Sequence, residues 1–198
     1  MANNCGFGID IECSIENADK ARRVCAIINN EDPEYCVVRT WGSAWFDEEE
    51  KGNTFAVHIW GECPWTANYF WAPGDTLAGR DVGDKIDFET GTRMVVSIPF
   101  LCQLWDMDAT GWEEELCCDV AGEFRCGTDG VLTYRDTLAE TYLEYLSNNP
   151  WDDSYAQAVH DHYVAGNYDG DPELKEQAHE LLLDPEIRKL WEGEEIDG

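Results

Sequence analysis

The side chains best equipped for chemistry in this chain are carboxylates, and two sets of them carry helical spacing. Asp136, Glu140 and Glu144 step by four and four; Glu173, Glu176, Glu180 and Asp184 step by three, four and four. On a helix such spacings stack like charges on one face, about 5–6 Å apart at Cβ, and each pair costs an isolated helix roughly 0.2–0.5 kcal/mol. A third acidic run, Asp47, Glu48, Glu49 and Glu50, reads as a charged turn that continues to Asn53. Carboxylate rows a few ångströms apart offer a Lys- and Arg-lined groove the same kind of target as a line of phosphates. The expected role of these residues is therefore partner binding.

Catalytic constellations are missing by motif. There is no GxxxxGK[ST], no HExxH and no GxSxG. Gly6-Phe7-Gly8 opens a strand instead of following one, so it is no dinucleotide fingerprint. His160 and His162 stand two apart on an expected helix, face different ways, and read as surface or boundary residues. His58 and His179 have no sequence neighbour that makes them ligands. Asp169-Gly170-Asp171-Pro172-Glu173 lacks calcium-loop spacing. The nine cysteines include no CxxC pair, so a structural zinc site is not expected. Most of them read as reduced, buried small hydrophobes. No catalytic residue, metal or cofactor is expected, and the chain does not read as an enzyme.

Composition narrows the partners. The chain has 198 residues with 42 Asp and Glu against 13 Lys and Arg, a formal charge of −29. Residues 1–135 hold −15 of it and residues 136–198 hold −14, so the second part is far denser in charge. Such a surface repels phosphate, which excludes direct nucleic-acid binding through a basic groove and disfavours an anionic membrane. Hydrophobic residues make up 43 %, with nine Trp, enough for a packed core. The longest uncharged stretches run about twelve residues, short of a membrane span. No export signal is recognisable, and a cytoplasmic location is expected. Trp41, Trp45, Trp60, Trp65, Tyr69, Phe70 and Trp71 cluster within 31 residues. They read as core and core edge, with Trp41, Trp45 and Trp65 as a secondary protein-binding patch.

The positioning elements follow from periodicity. Phe7 to Ile15 alternates as a half-buried strand, and Asn17 or Asp19 caps a helix to about Asn29. Tyr35 to Trp41 and Thr54 to Trp60 are expected strands joined as a hairpin across the acidic turn. Residues 72–91 read as loop, Arg93 to Pro99 as a strand, and Phe100 to Trp105 as a helix. Gly111 to Val120 and Glu123 to Tyr134 read as a second hairpin. From Asp136 only helices are expected, over 137–147, 151–164, 172–183 and 185–191, with prolines at their starts. The order βαββ, α, ββ gives an α+β class.

Three stretches together carry a resemblance: Trp41-Gly-Ser-Ala-Trp45; the strand ending in Trp60 with Cys63-Pro64-Trp65 after it; and Ser97-Ile-Pro-Phe-Leu-Cys102, followed by Glu113-Glu114-Glu115 and Gly122-Glu123-Phe124. Over about residues 36–135 the chain resembles the YubB-type ferredoxin-like domain of plasmid and phage proteins. The resemblance implies a ferredoxin-like antiparallel sheet with helices on one face, here domain 1–135. The acidic helical extension 136–198 follows. It also implies a mobile-element origin and carries over no catalytic residue. Joined to the charge, it points to an anti-defence protein that mimics nucleic-acid charge. The target is then a basic, nucleic-acid-binding host nuclease, a CRISPR effector such as Cas9 first and a restriction enzyme second. A passive acidic accessory protein is the alternative.

Overall fold

The structure, a computed structural model, describes residues 4–37, 44–64, 66–71, 83–88, 91–188 and 190. It divides into two compact units, Met1–Asp136 and Thr137–Gly198. The first is α+β and the second is helical.

Strand β1 (Asn4–Ser14) organises the first unit. Cys5, Phe7, Ile9, Ile11 and Cys13 alternate onto one buried face, as period-two patterning requires. It pairs antiparallel on both sides, with β4 (Thr54–Pro64) and with β7 (Met107–Glu115). Adding β3 (Ala44–Lys51), β8 (Val120–Cys126) and β9 (Leu132–Asp136) completes a six-stranded antiparallel sheet in the order β3-β4-β1-β7-β8-β9. Helix α1 (Ala18–Ile28) buries Ala21, Val24, Cys25, Ile27 and Ile28. Helix α3 (Ile98–Trp105) is capped by Ser97, whose Oγ accepts the Phe100 amide. Both pack on the apolar side of the sheet. The short α2 (Asn68–Trp71) sets Phe70 edge-on to Phe7, 4.9 Å between centroids. A smaller sheet of β2 (Tyr35–Cys36), β5 (Lys85–Phe88) and β6 (Gly91–Val95) has the order β2-β6-β5.

Several expectations are corrected. Asp47–Glu50 is no turn: all four residues lie within β3, and Gly52, at φ 62°, makes the turn. The partner of β4 in the hairpin is β3, while the Tyr35 segment contributes two residues to the other sheet. Helix α1 holds β3 in place. Asn29 accepts the Ala44 amide at 2.9 Å and donates to its carbonyl at 3.0 Å, and Arg22 grips Glu48 at 2.9 and 3.0 Å. Residues 85–88, expected as loop, form β5. The expected single strand 123–134 is two, β8 and β9, broken at Gly127–Val131. Cys118 ends a 3-10 turn and not a strand.

In the second unit, α4 (Leu138–Asn148), α5 (Asp153–Val164), α6 (Pro172–Leu182) and α7 (Pro185–Arg188) follow one another. Asp152 and Asp171 accept the amides that open α5 and α6, the usual satisfaction of orphan N–H groups. Tyr142, Leu143, Leu146, Val159, Tyr168 and Leu182 form its small core, and the Tyr168 hydroxyl donates to the Ala139 carbonyl at 2.9 Å.

Asp32, nearly sealed from solvent, ties α1 to β2. It pairs with Arg23 and accepts the Glu34 and Tyr35 amides at 2.8 Å. Burial opposes its ionisation, but the guanidinium and the two amides outweigh it and hold the carboxyl below its usual 3.8. A lowered carboxyl stabilises the fold above its unfolded value and stops doing so as the pH falls through the folded one. Asp32→Asn is therefore expected to cost about 1–3 kcal/mol at pH 7 and progressively less below pH 4. Urea unfolding at several pH values checks this; an equal loss at pH 7 and pH 2.5 contradicts it.

Candidate functional site

Residues opposed across antiparallel strands share a face, so the registers define the outer face of the large sheet. One row runs Trp45, Trp60, Gly8, Trp112, Glu123, Arg135 from β3 to β9. The row beside it runs Asp47, His58, Asp10, Thr110, Arg125, Thr133. Glu49, Ala56, Glu12 and Asp108 form a third row, and Glu62, Gly6, Glu114 and Ala121 flank the first on its other side.

Trp45, Trp60 and Trp112 are 55 %, 44 % and 46 % exposed. Three indoles in line on an open sheet face are not core. Trp112 lies down across β1: a Cβ built on Gly8 would stand 2.2 Å from its Nε1, and one on Gly6 3.6 Å from its ring. The glycines of Gly6-Phe7-Gly8 thus clear a bed for an aromatic ring. On the opposite face Gly111 does the same for Trp71, which is 2 % exposed and stacks on Phe124 at 5.0 Å. Buried Glu113 holds the approach to that ring by accepting the Thr66 hydroxyl and the Ala67 amide.

The outer face carries eight carboxylates against Lys51, Arg125 and Arg135. Arg135 is paired with Glu123 at 3.2 Å and Lys51 with Glu49 at 2.8 Å. His58 Nδ1 meets Asp10 Oδ1 at 2.7 Å. A shallow cleft of about 520 Å³ lies beside Trp112, lined also by Asp10, Thr110, Arg125 and Thr133.

The expected site residues fall in several places. Asp47 and Glu49 join the outer face, whereas Glu48 and Glu50 point to the helix side, toward Arg22. Asp136 closes β9 and shares no helical face with Glu140 and Glu144, which lie on α4. Glu173, Glu176 and Glu180 are exposed along α6, but Asp184 lies beyond that helix and accepts the Glu186 amide that opens α7. Trp45 lies on the open face; Trp41 and Trp65 are outside the described residues. His160 is buried in α5. By sequence the two other indoles of the row, Trp60 and Trp112, belong to a core edge and to an ordinary strand; only the register brings them together. Among the described residues no cluster of three or more His, Cys, Asp or Glu is placed to hold a metal ion. The eight described cysteines are free thiols, seven of them buried. Among the described residues no helix is long and apolar enough to cross a membrane.

No protein-family model, no curated protein and no solved structure matches this chain.

The two glycine beds separate the faces experimentally. Gly111→Ala drives a methyl into Trp71 and into the Gly8 carbonyl, 2.6 and 2.7 Å away, and is expected to cost about 1–3 kcal/mol. Gly8→Ala meets only a half-exposed ring that is free to swing into water. It is expected to cost under about 1 kcal/mol while shifting tryptophan emission to the red. Urea unfolding and emission spectra decide; equal destabilisation by both means Trp112 is structural cladding.

Proposed function

We propose that this chain is a binding protein that occupies the nucleic-acid site of a basic partner, and that it serves as an anti-defence inhibitor of a host nuclease. The observation that carries the reading is the open face of the large sheet, where exposed indoles stand among carboxylates and, among the described residues, no helix of its own unit covers them. Trp is a favoured anchor at interface centres, and an acidic field speeds encounter with a basic surface. A channel that grips nucleic acid is the basic surface such a face fits best, and an RNA-guided effector has a long one. A restriction enzyme presents the same chemistry.

The path β1-α1-β3-β4-α3-β7, with sheet order β3-β4-β1-β7, supports a ferredoxin-like core extended by β8 and β9. That core is what the resemblance to YubB-type domains implies, and a plasmid or phage origin goes with it. The exposed carboxylates of α6 offer a second acidic face.

The test is DNA cleavage by purified RNA-guided effectors and restriction enzymes in the presence of the chain. Inhibition of at least one is expected, weakening with added salt and with excess target DNA. Reversing Glu12, Asp47 and Glu49 to Lys is expected to raise the inhibitory concentration at least tenfold, about 1.4 kcal/mol. Reversing Glu173, Glu176 and Glu180 measures the share of α6. Inhibition unmoved by both triple variants, or no inhibition of any nuclease, leaves the passive acidic protein as the better reading.

A further inference from the structure

We infer that the indole row is an arginine-reading surface, one that takes guanidinium side chains of a basic partner segment in preference to lysine ammonium groups. The inference deepens the function proposed above and rests on it for the sign of the partner's charge.

Trp45, Trp60 and Trp112 span three strand spacings, about 14 Å. Each has a carboxylate one step away on the same face. Asp47 follows Trp45 by two residues, Glu62 follows Trp60 by two, and Glu123 is the register partner of Trp112. Glu123 already holds Arg135 at 3.2 Å, an exposed pair that an incoming guanidinium shares or displaces at little cost. A guanidinium uses both parts at once. Its weakly hydrated plane stacks on an indole, while its edge donates a fork of hydrogen bonds to a carboxylate beside the ring. An ammonium is a compact, strongly hydrated charge and gains less from a flat ring.

The chain already builds this arrangement twice for itself. Arg22 stacks over Phe55 at 4.6 Å and holds Glu48 through two nitrogens. Arg23 stacks over Tyr35 at 5.0 Å and Trp105 at 5.6 Å while it grips Asp32 through two nitrogens. The outer face presents the aromatic and acidic halves of the same arrangement. Gly6 and Gly8 let the Trp112 ring lie flat, which turns its broad side outward.

Two other occupants fit less well. A nucleobase stacks on indoles, but its phosphates would meet eight carboxylates and three basic side chains, two of them already paired. A second copy would set two such acidic faces against each other.

Two synthetic peptides of equal length and charge test the inference, identical except that one carries Arg wherever the other carries Lys. The full chain is titrated with each at fixed salt, followed by tryptophan emission and calorimetry. The Arg peptide is expected to bind at least tenfold more tightly. Trp60→Ala and Trp112→Ala are expected to reduce that preference below threefold, with far-UV circular dichroism unchanged. Trp60→Phe and Trp112→Phe, which keep a ring, are expected to fall between. Equal affinity for both peptides overturns arginine reading and leaves the acidic binding protein standing. A preference that survives all four substitutions overturns it as well. Failure of both peptides to bind at low salt removes both proposals. Sedimentation as a dimer that Trp60→Ala dissolves makes the face a self-interface, and likewise overturns the inference.

Discussion

One strand with one dry face governs the first unit. β1 is paired on both edges, so its backbone N–H and C=O groups are spent in two ladders. Its odd-numbered side chains must then lie under α1 and α3, because Phe7, Ile9 and Ile11 each gain roughly 1.5–3 kcal/mol from burial and a one-residue slip would expose all of them. Everything on the outer face follows from that register. Trp60 and Trp112 are the partners of Gly8 on its two sides, and Asp10 meets His58 on one side and Thr110 on the other. The site is thus a by-product of the core. The same alternation that hides the apolar set lines up indoles and carboxylates that lie far apart in the chain.

A formal charge of −29 has to be accommodated as well as displayed. The few arginines of the first unit are used with economy. Arg22 and Arg23 neutralise the acidic groups nearest the core and stack on its aromatic rims. Glu113 is buried and satisfied by Thr66 and Ala67, while exposed carboxylates line the outer sheet face and α6. This division suits a binding surface acting over two distances. In the function proposed above, charge draws a basic partner from about a Debye length, roughly 10 Å at 0.1 M salt. Indoles act only at contact, where stacking and release of water set how long the partner stays.

How much could be seen in advance depended on the range of the interactions. The alternation of β1 and the apolar face of α1 are local patterns, and the structure keeps both. Asp152 and Asp171 cap α5 and α6, and Pro172 and Pro185 open α6 and α7, so those helices were readable from a few residues. β3 was not. Asp47-Glu48-Glu49-Glu50 has poor strand propensity, and the segment is a strand because β4 pairs with it throughout, while Asn29, just past α1, fixes its start at Ala44 and Arg22 of α1 grips Glu48. The break between β8 and β9 is legible in Gly127-Thr128-Asp129-Gly130, whose Asp-Gly pair is turn chemistry and whose Gly130 sits at φ 74°. The indole row was invisible for a deeper reason. Trp45 and Trp60 cluster in sequence, but Trp112 joins them only through β1, and Gly8 makes sense only beneath its ring.

The most direct measurement is an NMR titration of the full chain, following the indole N–H resonances as a basic nuclease or an arginine-rich peptide is added. Docking through the open sheet face predicts large shifts for Trp45, Trp60 and Trp112, with buried Trp71 and Trp105 unmoved. Shifts confined to the helices of the second unit, or spread evenly over both units, would contradict it.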